Sequence, residues 1–269
     1  MKKFSFFILI LLIYSEISAQ NHRDSIDVIN YTINLSVNNL SSHKISGNTQ
    51  ILLCPEFDNS HSLKLDLLKL KVSKILLNGK NFSHWKQNDS LITFNFNKSI
   101  NKKDTLILNI FYSGTPAKDN FWGGFYFTPI NAFNLGIGMQ SVPHSFGRAW
   151  FPCNDSFTDK AFFLFNITVP KEYTAACGGK LLGIYTNKKN LKTYSWQINK
   201  KIPPYLASVS IAKYTIIKQT IKGKQKNIPV QIFTFSTDEK KTKKTFINLP
   251  KAIKIYEKLF GTYPWGKIG

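Results

Sequence analysis

"VINYTINLSVNNLSSHKISGNTQILL", residues 28–53, alternates apolar and polar side chains, breaks at a polar turn, and alternates again. Successive side chains of an extended strand point to opposite faces, so Tyr31, Ile33, Leu35 and Val37 share one face. The stretch predicts two half-buried antiparallel strands. The same reading extends outward. "HSLKLDLLKLKVSKILLNGKNF" (61–82) gives two more strands, closed by the tight-turn pair Asn78-Gly79. "SLITFNFN" (90–97), "DTLILNIFYSG" (104–114), "KAFFLFNITVP" (160–170), "YTAACGGKLLGIYT" (173–186), "LKTYSWQI" (191–198) and "YLASVSIAKYTIIKQT" (205–220) continue the series, the last expected to start at the doublet Pro203-Pro204. Many short strands with no amphipathic helices between them predict an all-β fold, a large antiparallel domain of several sheets.

The 269 residues suffice for a real core, and a 43% hydrophobic, 14% aromatic composition describes a folded globule. "MKKFSFFILILLIYSEISAQ" at the start pairs two lysines with an apolar run and a small-residue ending, which reads as a signal peptide over residues 1–19. Export to the periplasm or the extracellular space follows, and no segment has the length of about 20 apolar residues that a membrane helix needs. Removing two lysines and Glu16 with the leader lowers the formal charge from +21 to +20. That excess is spread over the whole length and predicts nonspecific, salt-sensitive contact with polyanions, with no specific nucleic-acid site. Cys54, Cys153 and Cys177 are an odd count for an exported chain; one disulfide or three buried thiols both fit.

Residues 115–157 break the strand rhythm with Gly, Pro and aromatics, and are expected to fold as an ordered loop over a sheet edge. Within them lies "GRAWFPCND" (147–155). Arg148 is one of two arginines beside 34 lysines, and a planar five-donor fork does what lysine cannot. Trp150 and Phe151 would anchor this corner, Pro152 would fix its turn, and Asp155 could accept hydrogen bonds from Arg148 or from backbone amides. Asp155 and Asp159 are expected to form salt bridges with Arg148 and Lys160 instead of acquiring raised pKa values. A structural lock is the reading of the residues themselves. No His stands near another His or a Cys at ligand spacing, and no HExxH, nucleophile elbow or phosphate loop occurs, so neither catalytic nor metal residues are assigned.

Near residue 238 the class changes. "STDEKKTKKTFINLPKAIKIYEKLF" (236–260) places apolar residues at 246, 249, 252, 253, 256, 259 and 260, an amphipathic helix with Ser236 or Thr237 as N-cap and Gly261 as its end. Pro250 inside the pattern predicts a kink or a helix beginning nearer to it. One helix cannot bury its apolar face alone, so this segment reads as the start of something larger.

"GRAWFPCNDSFTDKAFFLFNITVPKEYTAACGGKLLG" (147–183) resembles the signature of the N-terminal domain of M1-family metallopeptidases, the aminopeptidase N and leukotriene A4 hydrolase group. Arg148, Phe151, Pro152, Cys153, Asp155, Lys160, Ala161, Phe163, Val169, Pro170 and Leu181 stand at matching positions. "YTINLSVNNLSSHKISGNTQI", "LKLDLLKLKVSKILLNGK", "PPYLASVSIAKYT" and "IYEKLFGTYPWGKIG" match in the same order. The resemblance implies a saddle-like β-domain over 20–218 and, over 219–269, the first part of an α-rich, thermolysin-like catalytic domain. In the family, the GxMEN and HExxH motifs and the Zn2+ they serve come after this point, so the catalytic domain is the implied partner and peptides are the implied substrate of the parent enzyme. It also implies that Gln140, before the signature Arg, contacts the substrate's α-amino group, with Val142 near the family's acidic or amide position. A stand-alone secreted β-rich binding module without catalysis is the alternative.

Overall fold

The computed structural model describes residues 22–187 and 190–269; the signal-peptide reading of residues 1–19 lies outside them. β1 (Ile26–Ser36) buries alternate residues along its length, with a one-residue bulge between Val28 and Asn30 that restores the inward phase. Along the chain follow β2 (Ile45–Pro55), β3 (Ser60–Asp66), β4 (Lys71–Leu77), β5 (Lys80–Asn81), β6 (Trp85–Gln87), β7 (Leu91–Ile100) and β8 (Leu106–Gly114). Then come β9 (Gly124–Phe127), β10 (Asn131–Leu135), β11 (Ala161–Pro170), β12 (Thr174–Cys177), β13 (Lys180–Thr186), β14 (Leu191–Ile202), β15 (Val209–Ala212), β16 (Thr215–Lys222) and β17 (Asn227–Thr234). Two helices, α1 (Glu239–Thr245) and α2 (Leu249–Phe260), follow.

The main sheet has eight strands in the order β13-β14-β11-β1-β2-β8-β4-β5. All its neighbours are antiparallel except β1 and β11, which run parallel from Asn30↔Phe162 to Ser36↔Thr168. Alternating half-buried strands carry no label for direction, so this one pairing was invisible in the pattern. β3-β7-β6 and β12-β15-β10-β9 form two smaller sheets packed around the same core. Asn78 and Gly79 make the predicted tight turn between β4 and β5, both at positive φ (50° and 79°).

Residues 115–157 are not loop throughout. β9 and β10 pair within them and extend into a sheet through β15 and β12. Strands of four and five residues flanked by Gly and Pro are too short to show a period. Pro203 and Pro204 also differ from expectation: Pro204–Leu206 is a 3-10 turn and the strand begins only at Val209. Gly136 is required where β10 meets that turn, because a Cβ there would stand 1.7 Å from the Tyr205 carbonyl oxygen.

The C-terminal helix divides before Pro250, which sits in the first turn of α2 where its missing N–H costs nothing. Ser236 and Thr237 do not cap it; they lie in a 3-10 turn, and no side chain caps α1. A second, small core joins this region: Ile221, Ile228, Val230 and Ile253, with Ile232, Leu249, Tyr263 and Ile268 packed on it. It begins inside β16, the strand that runs through position 218. The carboxylate of buried Glu257 accepts from the amides of Lys224 (2.6 Å) and Tyr263 (2.9 Å), tying α2 to the β16–β17 turn. No helix among the described residues is long and apolar enough to cross a membrane.

Gly136→Ala is expected to lower unfolding stability by about 3 kcal/mol, against about 1 kcal/mol for Gly79→Ala, where nothing lies within 4 Å and only positive φ is at stake. Urea unfolding of both variants measures the contrast.

Candidate functional site

Both arginines of the described chain point into one corner, where each grips an aspartate. Arg148, in the 3-10 turn Gly147–Ala149, donates through Nη1 to Asp155 Oδ2 (2.9 Å) and to the Ser145 carbonyl, and through Nη2 to the Pro143 carbonyl (3.1 Å). Its guanidinium lies 5.1 Å from the Phe146 ring centroid. Asp155 also accepts from the amides of Gly147 and Arg148 (3.2 Å each). Arg23, in the 3-10 turn His22–Ser25, donates to both oxygens of Asp66, with Nε 3.1 Å from Oδ2, and the His22 ring lies 3.3 Å from Oδ1. The two pairs are joined, because the amide of Asp155 donates to Asp66 Oδ2 (3.0 Å) and Asp66 and Cys153 exchange backbone hydrogen bonds.

Asn154 completes the clasp. Its amide donates to the Tyr31 hydroxyl (2.9 Å), and its Nδ2 reaches the Arg23 carbonyl (2.9 Å) and Asp159 Oδ2 (2.8 Å). Tyr31 in turn stacks on Phe163 and meets Phe151 edge-on, so β1, β11 and the corner share one aromatic cluster with Trp150. Pro152 and Cys153 are buried beside them. Lys160 is exposed and takes part in none of the ion pairs among the described residues.

The carboxyl groups divide. Burial pushes Asp66 up, but the His22 hydrogen bond, the Arg23 charge and the Asp155 amide outweigh it and hold the group below its usual value. Asp155 goes the other way: burial, with the Asp66 charge, raises it further than the charge and hydrogen bonds of Arg148 pull it down. Burial likewise raises Asp159 to about 6, against hydrogen bonds from Asn154 and the Val28 amide. Asp155 thus keeps its Arg148 salt bridge and is raised all the same, while Asp159 makes no salt bridge among the described residues, Lys160 facing solvent. Burial, with Asp155 and Asp66 nearby, also pushes the Cys153 thiol far up, which leaves it without nucleophilic character.

The clasp carries a loop. Arg148 holds the carbonyls of Pro143 and Ser145, while Asp119 holds the loop's other end, accepting from the Ser141 hydroxyl (2.6 Å) and the Gln140 amide (3.1 Å). Asp119 also accepts the amides of Phe121 and Trp122 (3.0 Å each), so two loops close on one carboxylate. The Ser141 hydrogen bond, opposed by burial and aided by the three amides, holds its pKa well below the usual range. Gln140 is exposed, flanked by exposed Phe121, Trp122, Met139 and Val142, the last at 88%. Beneath lies a cleft of about 300 Å³ lined by Arg23, Asp66, Ser141, Val142, Pro143 and Arg148. Arg23, Asp66, Asn154 and Asp119 were not singled out by sequence reasoning. The rarity of arginine, which marked Arg148, marks Arg23 equally.

Among the described residues no group of three or more His, Cys, Asp or Glu side chains could hold a metal ion. Asp66 and Asp155 are already engaged by arginine and amide donors.

Residues 27–206 match the Peptidase M1 N-terminal domain. Among solved structures, an M1 zinc metallopeptidase from Deinococcus radiodurans superposes with a TM-score of 0.76 at 19% identity, over 90% of this chain and 55% of that one. A mutant of that enzyme bound to a Tyr-Ser-Ala substrate gives 0.74 at 22%, over the same shares. Legionella pneumophila aminopeptidase A in complex with aspartic acid gives 0.77 at 14%, over 90% of this chain and 28% of that one. The chain thus spans about half the length of the Deinococcus enzyme. No curated protein sequence matches it.

Arg148→Lys is expected to cost about 3 kcal/mol in urea unfolding, since a point ammonium cannot serve Asp155 and two carbonyls together. A second expectation concerns pH. A carboxyl raised to about 6 in the fold, from about 3.9 unfolded, opposes folding when ionised and ceases to do so as pH falls through 6 toward 4. The native chain should therefore gain about 2 kcal/mol relative to Asp159→Asn between pH 8 and pH 4.5. Paired unfolding curves across that range read the sign directly.

Proposed function

Because the chain belongs to the M1 peptidase family, as its N-terminal domain, we propose that it is the non-catalytic N-terminal portion of an exported zinc aminopeptidase that removes N-terminal residues from peptides. Residues 20–218 would form the β-domain, and 219–269 would open the catalytic domain. The observation that carries this reading is the uncovered face of α2: it buries Ile253 and Glu257 alone and leaves Ile255, Tyr256, Leu259 and Phe260 in solvent. Such a face, on the helix that would open the catalytic domain, calls for further parts of that domain against it. A self-sufficient secreted binding module would cover or lack it.

In the complete enzyme, Zn2+ held by residues of the catalytic domain would supply activation of water for attack on the peptide carbonyl. The residues of this chain do other work. The paired arginine clasp and Asp119 fix the loop 138–146, and Gln140 at its tip offers a side-chain amide to a substrate's α-amino group. The exposed aromatics beside it suit a side chain of that substrate.

The 269-residue chain supplied with zinc should not hydrolyse amino-acid arylamides, while a longer product of its reading frame should do so and lose activity to a chelator. Chelator-sensitive turnover by the 269-residue chain itself would overturn the non-catalytic assignment. Recovery of the longer product outside the cytoplasm, beginning at Gln20, checks the export reading; retention of Met1 there would refute leader removal.

A further inference from the structure

The turn between β16 and β17 and the helix α2 enclose a cleft of about 510 Å³ lined by Lys222, Gly223, Lys224, Lys254, Glu257 and Lys258. Four of its six lining residues are lysines, and they come from separate elements. Lys222 ends β16 and Lys224 lies in the turn, while Lys254 and Lys258 stand one helical turn apart on α2. All four are exposed. Like charges at i and i+4 destabilise a helix, so the pair on α2 carries a cost. No ion pair among the described residues relieves it. Lysines elsewhere do find carboxylates: Lys243 Nζ lies 2.6 Å from Glu239 at the same spacing on α1, and Lys102 Nζ 3.1 Å from Glu56. The one carboxylate of the cleft, Glu257, is buried, and its two oxygens are taken by the Lys224 and Tyr263 amides. Gly223 lets the turn close beneath, since a Cβ there would stand 2.7 Å from the Lys226 carbonyl oxygen. Four ammonium groups against one carboxylate leave the cleft with a charge of +3.

We infer that this cleft is a binding site for a ligand that carries two phosphate groups. Two phosphate monoesters bring about three to four negative charges at pH 7, which balances the cleft. A single carboxylate leaves most of its charge uncompensated. An ammonium is a compact point charge on a flexible stem, so four of them close around phosphate oxygens without the fixed fork that a planar carboxylate matches. A long nucleic acid fits less well, because a continuous phosphate backbone needs a basic track. Here the track is interrupted: Ile255 and Leu259, the sequence neighbours of Lys254 and Lys258, are exposed and apolar. Binding relieves the repulsion within α2 and ties the helix to the β16–β17 turn. The site lies outside the arginine corner and the Gln140 loop, and it stands whether or not the peptidase reading does.

Calorimetric titration with inorganic pyrophosphate at physiological salt tests this, on the 269-residue chain and on the longer product of its reading frame. About one pyrophosphate should bind per chain, and the double variant Lys254→Gln/Lys258→Gln should weaken it about tenfold. Lys86→Gln/Lys98→Gln removes the same charge from the exposed faces of β6 and β7 and should leave the affinity unchanged. Equal weakening by both double variants, or several equivalent pyrophosphates per chain, would mean that excess charge alone attracts the anion and would overturn the site. So would binding to the 269-residue chain that the longer product lacks, since the cleft would then be covered. Without pyrophosphate, Lys254→Gln/Lys258→Gln should unfold at an equal or higher urea concentration, because a repulsive pair is gone. A lower one would make these lysines braces of the fold and defeat the inference. Vesicles of phosphatidylcholine containing phosphatidic acid distinguish the sources. Capture that pyrophosphate reverses and the variant loses assigns the phosphates to lipid headgroups; pyrophosphate binding without capture assigns them to a soluble ligand.

Discussion

Two guanidinium–carboxylate pairs, the buried Arg148–Asp155 and the half-buried Arg23–Asp66, hold this molecule's corner, and one amide couples them. Asp66 ends β3, Arg148 and Asp155 bracket the turn before β11, and Arg23 precedes β1. Three elements far apart in sequence therefore meet in a network whose members satisfy one another. Breaking a buried pair strands a charge at about 3–5 kcal/mol, so the corner is either fully assembled or strongly disfavoured. The raised Asp155 shows that desolvation is not fully offset even here. What the arrangement contributes is geometry: a fixed corner on which the Gln140 loop can be hung.

Function follows from that division of labour. The corner concentrates the residue types from which active sites are made, yet its arginines are saturated, its thiol is held protonated by burial, and its carboxylates are engaged. Its outward reach is the loop pinned between Arg148 and Asp119. The exposed side chains of that loop, with Phe121 and Trp122 beside them, form a fixed surface because the backbone beneath carries the hydrogen bonds.

The sheet architecture was legible because burial on one face imposes period two, and β1, β2, β8, β11 and β14 are long enough to display it. The signature Arg148-to-Asp155 stretch marked the corner. What escaped detection shares a physical cause: it depends on partners distant in sequence. The parallel register of β1 on β11, the grip of Arg23 on Asp66, and the closure of two loops on Asp119 all join positions more than 15 residues apart. Short strands such as β9 and β10 gave too few residues for any period. The pKa of Asp159 was misjudged because Lys160, its neighbour in sequence, points to solvent while Asn154 and the Val28 amide surround the carboxyl.

The parallel pairing of β1 with β11 joins Tyr31 to Phe163 and Ser36 to Thr168. The central sheet therefore cannot close until some 130 residues of intervening chain have been made and threaded into place, a contact order that slows folding. Until β11 arrives, one flank of β1 is an open strand edge in a partly built sheet, the kind of surface that seeks other chains. The central strand thus has no parallel partner to commit to before the greater part of the β-domain is available.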